Sequence, residues 1–284
     1  VGSEMCIRDR FWISILMVGV SVLIRMQMQE SPLFTAAKKA GTVSTHPLRD
    51  SFANKYNFKF VLLALLGATM GQGVVWYTGQ FYALSFLQNT LKIDVAQASQ
   101  LIMLALLFAT PFFVFFGWLS DQIGRKWIML TGMLLAVCFY RPIYSSMYEI
   151  GLQAAKGELT PGLLLDNSSF WKMVLLVFVQ VLFVTMVYGP IAAFLVELFP
   201  TRIRYTSMSL PYHVGNGIFG GLLPAIATYL TTRAMHLNEV ALKSGSTLPY
   251  EKPYLEGLWY PIVIAGISFL IGTIYIKEKK QQEP

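Results

Sequence analysis

The residues of this chain that can do chemistry are few, and most crowd into one short run. Gly117-Trp118-Leu119-Ser120-Asp121-Gln122-Ile123-Gly124-Arg125-Lys126 sets one acid and two bases between two apolar blocks. A carboxylate four residues before a guanidinium suits ion pairing on a helical turn. Gly117 would let two helices approach closely. Gly124 would allow a tight reversal with positive φ. Asp121 could face the positive, amino-terminal end of a neighbouring helix. Arg125 and Lys126 are expected at the surface, where they can pair with acids. The plainer alternative is a generic short turn, in which Gly, Lys and Arg are common.

A second polar element lies some seventy residues on, Glu197-Leu198-Phe199-Pro200-Thr201-Arg202-Ile203-Arg204-Tyr205-Thr206. Glu197 could reach Arg125 and latch the two elements together. An exposed pair alone would contribute only about 0–1 kcal/mol. Pro190, upstream, should bend its helix because its ring removes one backbone bond.

Other polar side chains are scattered inside apolar stretches, where they are costly and usually face a bundle interior or an aqueous cavity. Gln72, Trp76 and Gln80 recur every four residues, with Tyr77 beside the stripe. Gln180 and Tyr188 are eight apart and are expected on one face. Tyr212 and Asn216 are four apart, with His213 adjacent. From these, Gln72, Tyr77, Gln80, Gln180, Tyr188 and Asn216 are expected to line a cavity. Hydrogen bonds between helices, roughly 0.6 kcal/mol each, are the bland reading. His213 could carry a proton near neutral pH, although a packed histidine is the commoner case. Arg141, before Pro142, is expected to snorkel to an interface; anion binding is the alternative. Gly217 and Gly221 form a small-x-x-x-small pair suited to helix packing.

Catalysis finds little support in these residues. No Asp or Glu lies in the interior of an apolar stretch, so a catalytic carboxylate pair is absent, and His213 has no evident nucleophile beside it. Cys6 and Cys138 are far apart and have no metal-site spacing. No cofactor and no metal are expected.

The elements that must position these residues are membrane helices. Hydrophobic residues make up 55% of the chain and charged residues 13%, with mean hydropathy +0.54. A soluble domain carries about 25% charged residues, so this composition implies lipid contact. The net charge of +7 is not read as a nucleic-acid signal, because the bases lie between apolar blocks. A span needs about 20 apolar residues, and seven candidates occur: Phe11–Met28, Phe58–Leu87, Ala98–Ser120, Trp127–Met147, Trp171–Val196, Thr206–Thr232 and Gly257–Ile276. Alternate connectors carry twelve Lys or Arg against five. The richer set, which includes Gly124–Lys126 and the carboxyl terminus, should face the cytoplasm. A bacterial inner membrane is expected. The fold class is therefore an all-α membrane protein.

The loop run matches Gly-x-x-x-Asp-x-x-Gly-Arg-Lys, and the chain resembles the major facilitator superfamily. Glu30-Ser31-Pro32-Leu33-Phe34 and Tyr188-Gly189-Pro190 through Thr206 are similar to its metabolite:proton symporter family. The resemblance implies that residues 58–276 form the six-helix carboxyl-terminal bundle of a major facilitator fold. Residues 11–28 would then be the last helix of a missing amino-terminal half. Residues 29–57 would be a central cytoplasmic linker, 277–284 a cytoplasmic tail, and 1–10 a non-native prefix outside the fold. It also implies that Gly117, Asp121, Gly124, Arg125, Lys126, Glu197, Arg202 and Arg204 form a cytoplasmic gate. The implied function is secondary transport of a small organic solute, an organic acid or a zwitterionic osmolyte, with protons, the solute, the bilayer and the first half as partners. The titrating carboxylate would lie in that first half. A seven-span receptor and a membrane-embedded enzyme are the competing classes.

Overall fold

The computed structural model describes residues 2–28, 35–36, 39–41, 46–200 and 203–276. The chain divides into two units, Val1–Thr45 and His46–Pro284. The first holds helix α1, Gly2–Gln27. This helix begins at Gly2 and not at Phe11, so it takes in the stretch expected to stand outside the fold. Its described side chains from Trp12 onward are exposed. Among the described residues, its apolar stretch is Ser14–Gln27.

The second unit carries a short helix α2, Pro47–Phe52, and six long ones: α3 Lys55–Thr90, α4 Val95–Ile123, α5 Arg125–Ala154, α6 Asn167–Leu198, α7 Arg204–Ser244 and α8 Pro253–Tyr275. Among the described residues these six are long and apolar enough to cross a membrane, against the seven expected. Each expected span from Phe58 onward falls within one of them, except that Ile276 lies just beyond α8. The largest difference is in α7, which continues past Thr232 to Ser244 and absorbs residues expected in a connector.

Side-chain contacts fix the direction of each helix. Thr69 bonds to the Pro211 carbonyl and Ser85 to Thr228, so α3 and α7 run parallel. Tyr140 and Tyr144 of α5 reach Val75 and Thr78 of α3, again in parallel register. Phe108 meets Trp171 and Phe112 meets Phe178, so α4 and α6 are parallel. Lys126 reaches Thr273 while Tyr148 stacks on Tyr254, so α8 opposes α5. Met147 meets Gln180 and Gly132 meets Val187, so α6 also opposes α5. The helices therefore alternate in direction, as successive crossings must. The Gly124 turn, Phe199 and Ile276 share one end of the bundle.

Backbone satisfaction explains the shape of α3. It is α-helical with π-helical turns at Leu65–Thr69, Thr78–Tyr82 and Phe86–Thr90. With no water in the hydrocarbon, a backbone that departs from α geometry must find other partners. Hydroxyls from neighbouring helices supply them: Tyr140 donates to Val75 O, Tyr144 to Thr78 O and Ser268 to Leu66 O. Both tyrosines are fully buried and anchor the main core with Tyr82, Phe86 and Met147. A second cluster, with Val61, Met129, Ile191, Phe194 and Phe199, fills the end that holds Gly124. α6 runs through Pro190 without a break. Asp166 caps it, accepting from the Ser168 and Ser169 amides. Hydrogen bonding from the Ser169 side chain, then from its amide, holds the Asp166 carboxyl below its ordinary value. The cap is therefore complete above the usual carboxylate range and fades as pH falls through the lowered value.

Candidate functional site

At the Gly124 end, α4 stops and α5 starts on a single residue. Gly124 adopts φ 106°, a conformation that costs an L side chain but not glycine. The reversal places Arg125 in the first turn of α5. One of its nitrogens, Nη2, lies 2.9 Å from Asp121 Oδ1 and 2.9 Å from Glu197 Oε1. Both acids sit at the carboxyl-terminal ends of their helices, where the helix dipole disfavours negative charge. Arg125 gathers them at the amino-terminal end of α5, where the dipole favours it. Three helix ends, from α4, α5 and α6, are joined through one guanidinium. Its side chain is 16% exposed, against 51% for Asp121 and 43% for Glu197.

Other members of the expected gate act differently. Lys126 is not at the surface. It is buried, and its Nζ donates to Thr273 O at 3.0 Å and Ile276 O at 2.6 Å. These carbonyls lie at the end of α8, where the last turn has no intrahelical donors and a cation is favoured. Lys126 thus fastens the end of α8 to the loop. Arg204 donates from Nε to Phe199 O at 3.1 Å. Arg202 lies outside the described residues, as do Glu30, Ser31, Pro32, Leu33, Phe34 and residues 277–284. Gly117 does not itself make the close approach. A Cβ there would meet nothing within 4 Å, whereas one at Gly189 would come 3.2 Å from Phe113 O and 3.4 Å from Gly117 N. The narrow contact between α4 and α6 depends on Gly189, with the Gly117 backbone opposite it.

Midway along the bundle, the expected cavity residues separate into two environments. Gln72 and Asn216 form a reciprocal amide pair at 3.1 and 3.0 Å, and Asn216 also donates to Tyr212 O at 3.0 Å. The Tyr188 and Tyr212 hydroxyls are 3.0 Å apart. Trp76 lies against Tyr188 with centroids 4.3 Å apart, and Phe113 meets that tyrosine edge-on at 6.0 Å. Asn216, Tyr212, Tyr188, Trp76, Tyr77 and Gln80 are half-buried, while Gln72 is fully buried behind them. Gln72, Trp76, Tyr188, Tyr212 and Asn216 form a polar and aromatic patch across α3, α6 and α7. Tyr77 stacks on Phe81 and its ring covers Gly220.

Gln180 is not part of this patch. It is fully buried, and its Nε2 contacts the Met147 sulfur at 3.4 Å. Eight residues of α-helix leave two side chains roughly 80° apart, enough to send Tyr188 to the patch and Gln180 into the contact with α5. His213 is exposed, with Nδ1 2.7 Å from Ser209 O. A carbonyl only accepts, so Nδ1 carries the proton and Nε2 is the acceptor of the neutral ring. Arg141 does not simply snorkel: its Nη2 is 3.9 Å from Glu256 Oε1, and the guanidinium lies 4.8 Å over the Trp259 ring. Tyr212, noted beside Asn216 but left out of the expected cavity set, belongs to the patch. Its four-residue spacing from Asn216 was the available signal. Phe113 and Glu256 gave none, because their partners lie far away in sequence.

The amide pair makes a testable asymmetry. Asn216→Leu would strand the fully buried Gln72 amide and should destabilise the protein by about 1–3 kcal/mol. Gln72→Met leaves Asn216 its bond to Tyr212 O and should cost less than half as much. Unfolding midpoints in mixed micelles read the difference, and equal losses would show that burial of Gln72 does not matter.

Comparison with known proteins agrees with the geometry. A family model described as Major Facilitator Superfamily matches residues 61–284. A "Putative proline/betaine transporter" of Staphylococcus aureus (strain MSSA476) is 26% identical over 213 residues, 74% of this chain and 41% of that protein. The alpha-ketoglutarate permease of Escherichia coli K12 is 26% identical over 275 residues, 96% of this chain and 54% of that protein. A "Putative metabolite transport protein" of Haemophilus influenzae is 25% identical over 293 residues, 99% of this chain and 56% of that protein. The chain thus spans about two fifths to just over half the length of these relatives. No solved structure matches it significantly. With six alternating apolar helices, a Gly124 turn, a guanidinium binding two acids at that turn and a family match over most of its length, the chain belongs to the Major Facilitator Superfamily.

Proposed function

We propose that this chain is one of two rocking bodies of a secondary transporter, which carries a small organic solute across a bacterial inner membrane by alternating access. The observation that carries the reading is the Arg125 bridge to Asp121 and Glu197, 2.9 Å on each side. It ties three helix ends at one face and can be made or broken as that face closes or opens. The basic connectors support a cytoplasmic position for this face and for the carboxyl terminus. Gln72, Trp76, Tyr188, Tyr212 and Asn216 supply a polar and aromatic wall to the solute path. Tyr77 and Gln80 extend it outward. A carboxylate-bearing or zwitterionic solute, taken up with protons, fits the names of the relatives; the proton site is assigned to the partner body.

The test is uptake by a full-length protein carrying this chain, reconstituted in vesicles with an imposed inward proton gradient. Radiolabelled α-ketoglutarate, proline and betaine are offered separately. One of them should accumulate, and a protonophore should abolish the accumulation. Accumulation that survives the protonophore would remove the symport part. Uptake of all three no faster than in empty vesicles would overturn the solute class.

A further inference from the structure

At the end of the bundle away from the latch, α3 and α7 flank a small cavity of about 50 Å³ in which hydroxyl and amide groups share the lining with Phe86 and Met235. Tyr82, Ser85, Asn89 and Thr90 face it from α3, and Thr228 and Thr231 from α7. Nothing in the latch or the patch explains this concentration of hydroxyls. The volume admits an ion or one or two waters, and is too small for an organic solute.

We propose that this cavity is a binding site for a monovalent cation of sodium's size. The hydroxyl pairs are slack. Tyr82 Oη and Thr231 Oγ1 are 3.2 Å apart, and Ser85 Oγ and Thr228 Oγ1 are 3.3 Å apart. Hydroxyl hydrogen bonds cluster near 2.7–2.8 Å, so neither pair is drawn tight. A hard cation holds oxygens at about 2.3–2.6 Å, which puts adjacent ligands at right angles roughly 3.3–3.7 Å apart. The observed separations lie near that edge length.

Two of these hydroxyls also accept hydrogen bonds from elsewhere. Asn89 Nδ2 donates to Ser85 Oγ at 3.0 Å, and the Gly257 amide donates to Thr231 Oγ1 at 3.2 Å. Each hydroxyl then has its own proton to direct at a neighbour and a second lone pair for an ion. No carboxylate lines the cavity. A divalent ion would be left without compensating charge, whereas a single charge can be held by neutral oxygen dipoles at modest affinity. Because the ligands come from both helices, the ion would draw the outer halves of α3 and α7 together.

The test titrates sodium chloride into the protein in detergent, with choline chloride holding ionic strength constant, and reads the unfolding temperature. A ligand that binds only the folded state raises that temperature in a saturable way. Sodium should do so and choline should not. Ser85→Ala and Thr228→Val should weaken the sodium midpoint by at least about tenfold, while Thr228→Ser, which keeps the oxygen, should retain it. Three results would overturn the site: no difference between sodium and choline, a response that follows chloride when sodium gluconate is substituted, or unchanged midpoints in both Ser85→Ala and Thr228→Val.

Discussion

Replacing Arg125 with alanine should cut solute uptake by roughly tenfold while leaving equilibrium solute binding within about threefold. The size follows from what the guanidinium holds. Each acid it contacts is about half exposed, so solvent screening keeps each pair near the low end, about 0–1 kcal/mol. The arrangement is more than two separate pairs, because one nitrogen serves both carboxylates. Removing it loses both contacts and leaves Asp121 and Glu197 without the cation that brought them together. A net change of about 1–2 kcal/mol between the proposed open and closed states of this face corresponds to a factor of roughly 5–30 in their ratio. The proposed solute wall lies elsewhere in the bundle, so binding should be spared. Glu197→Gln keeps the shape and one neutral hydrogen bond, and should lose only about threefold. Uptake in vesicles and binding by calorimetry, measured on the same preparations, check both statements. A parallel loss of binding and uptake in Arg125→Ala would remove the latch from the mechanism.

The largest stability effect is expected where α3 and α7 touch backbone to backbone. A Cβ on Gly73 would lie 2.6 Å from the Gly215 carbonyl oxygen, and one on Gly215 would lie 2.7 Å from the Thr69 carbonyl carbon. Neither obstacle is the end of a flexible side chain that could swing aside. Relief requires the helices to move apart, which would strain the Gln72–Asn216 pair and the Thr69 bond to Pro211 O. Gly215→Ala should therefore destabilise the protein by at least about 1–3 kcal/mol, the usual range for overpacking. Gly217→Ala is the control. Its Cβ would meet nothing within 4 Å, so its effect should stay within about 0.5 kcal/mol. The contrast corrects a simple reading of spacing: Gly217 and Gly221 have the small-x-x-x-small interval, yet Gly215 and Gly220 make the contacts with α3. Gly217 is exposed, and a Cβ on Gly221 would run into the Gly217 carbonyl of its own helix. Unfolding midpoints of the two variants in one detergent test this, and equal shifts would contradict it.

The same physics divides what was legible in the chain from what was not. Six long helices could be read directly, because about 30 Å of hydrocarbon demands an uninterrupted apolar run and nothing outside that run can alter the demand. The Gly124 reversal was legible too, since positive φ is a local requirement that glycine meets by itself. The reach of Glu197 to Arg125 was open to expectation because both charges sit at predictable helix ends. Lys126 was misread: adjacent in sequence to a latch arginine, it points instead to the carbonyls of α8, a helix whose position no local pattern could reveal. Gln180 and Tyr188 were placed on one face, but packing against α5 on one side and α7 on the other separates them. π-helical turns in α3 and the glycine contacts with α7 arise only when neighbouring helices supply hydroxyls and backbone at the right height. Sequence by itself determined the six segments long and apolar enough to cross and the Gly124 reversal, because those are costs met within each segment. Tertiary structure alone decided which side chains meet, because the partner of a buried polar group is set by helix rotation and depth in the bundle.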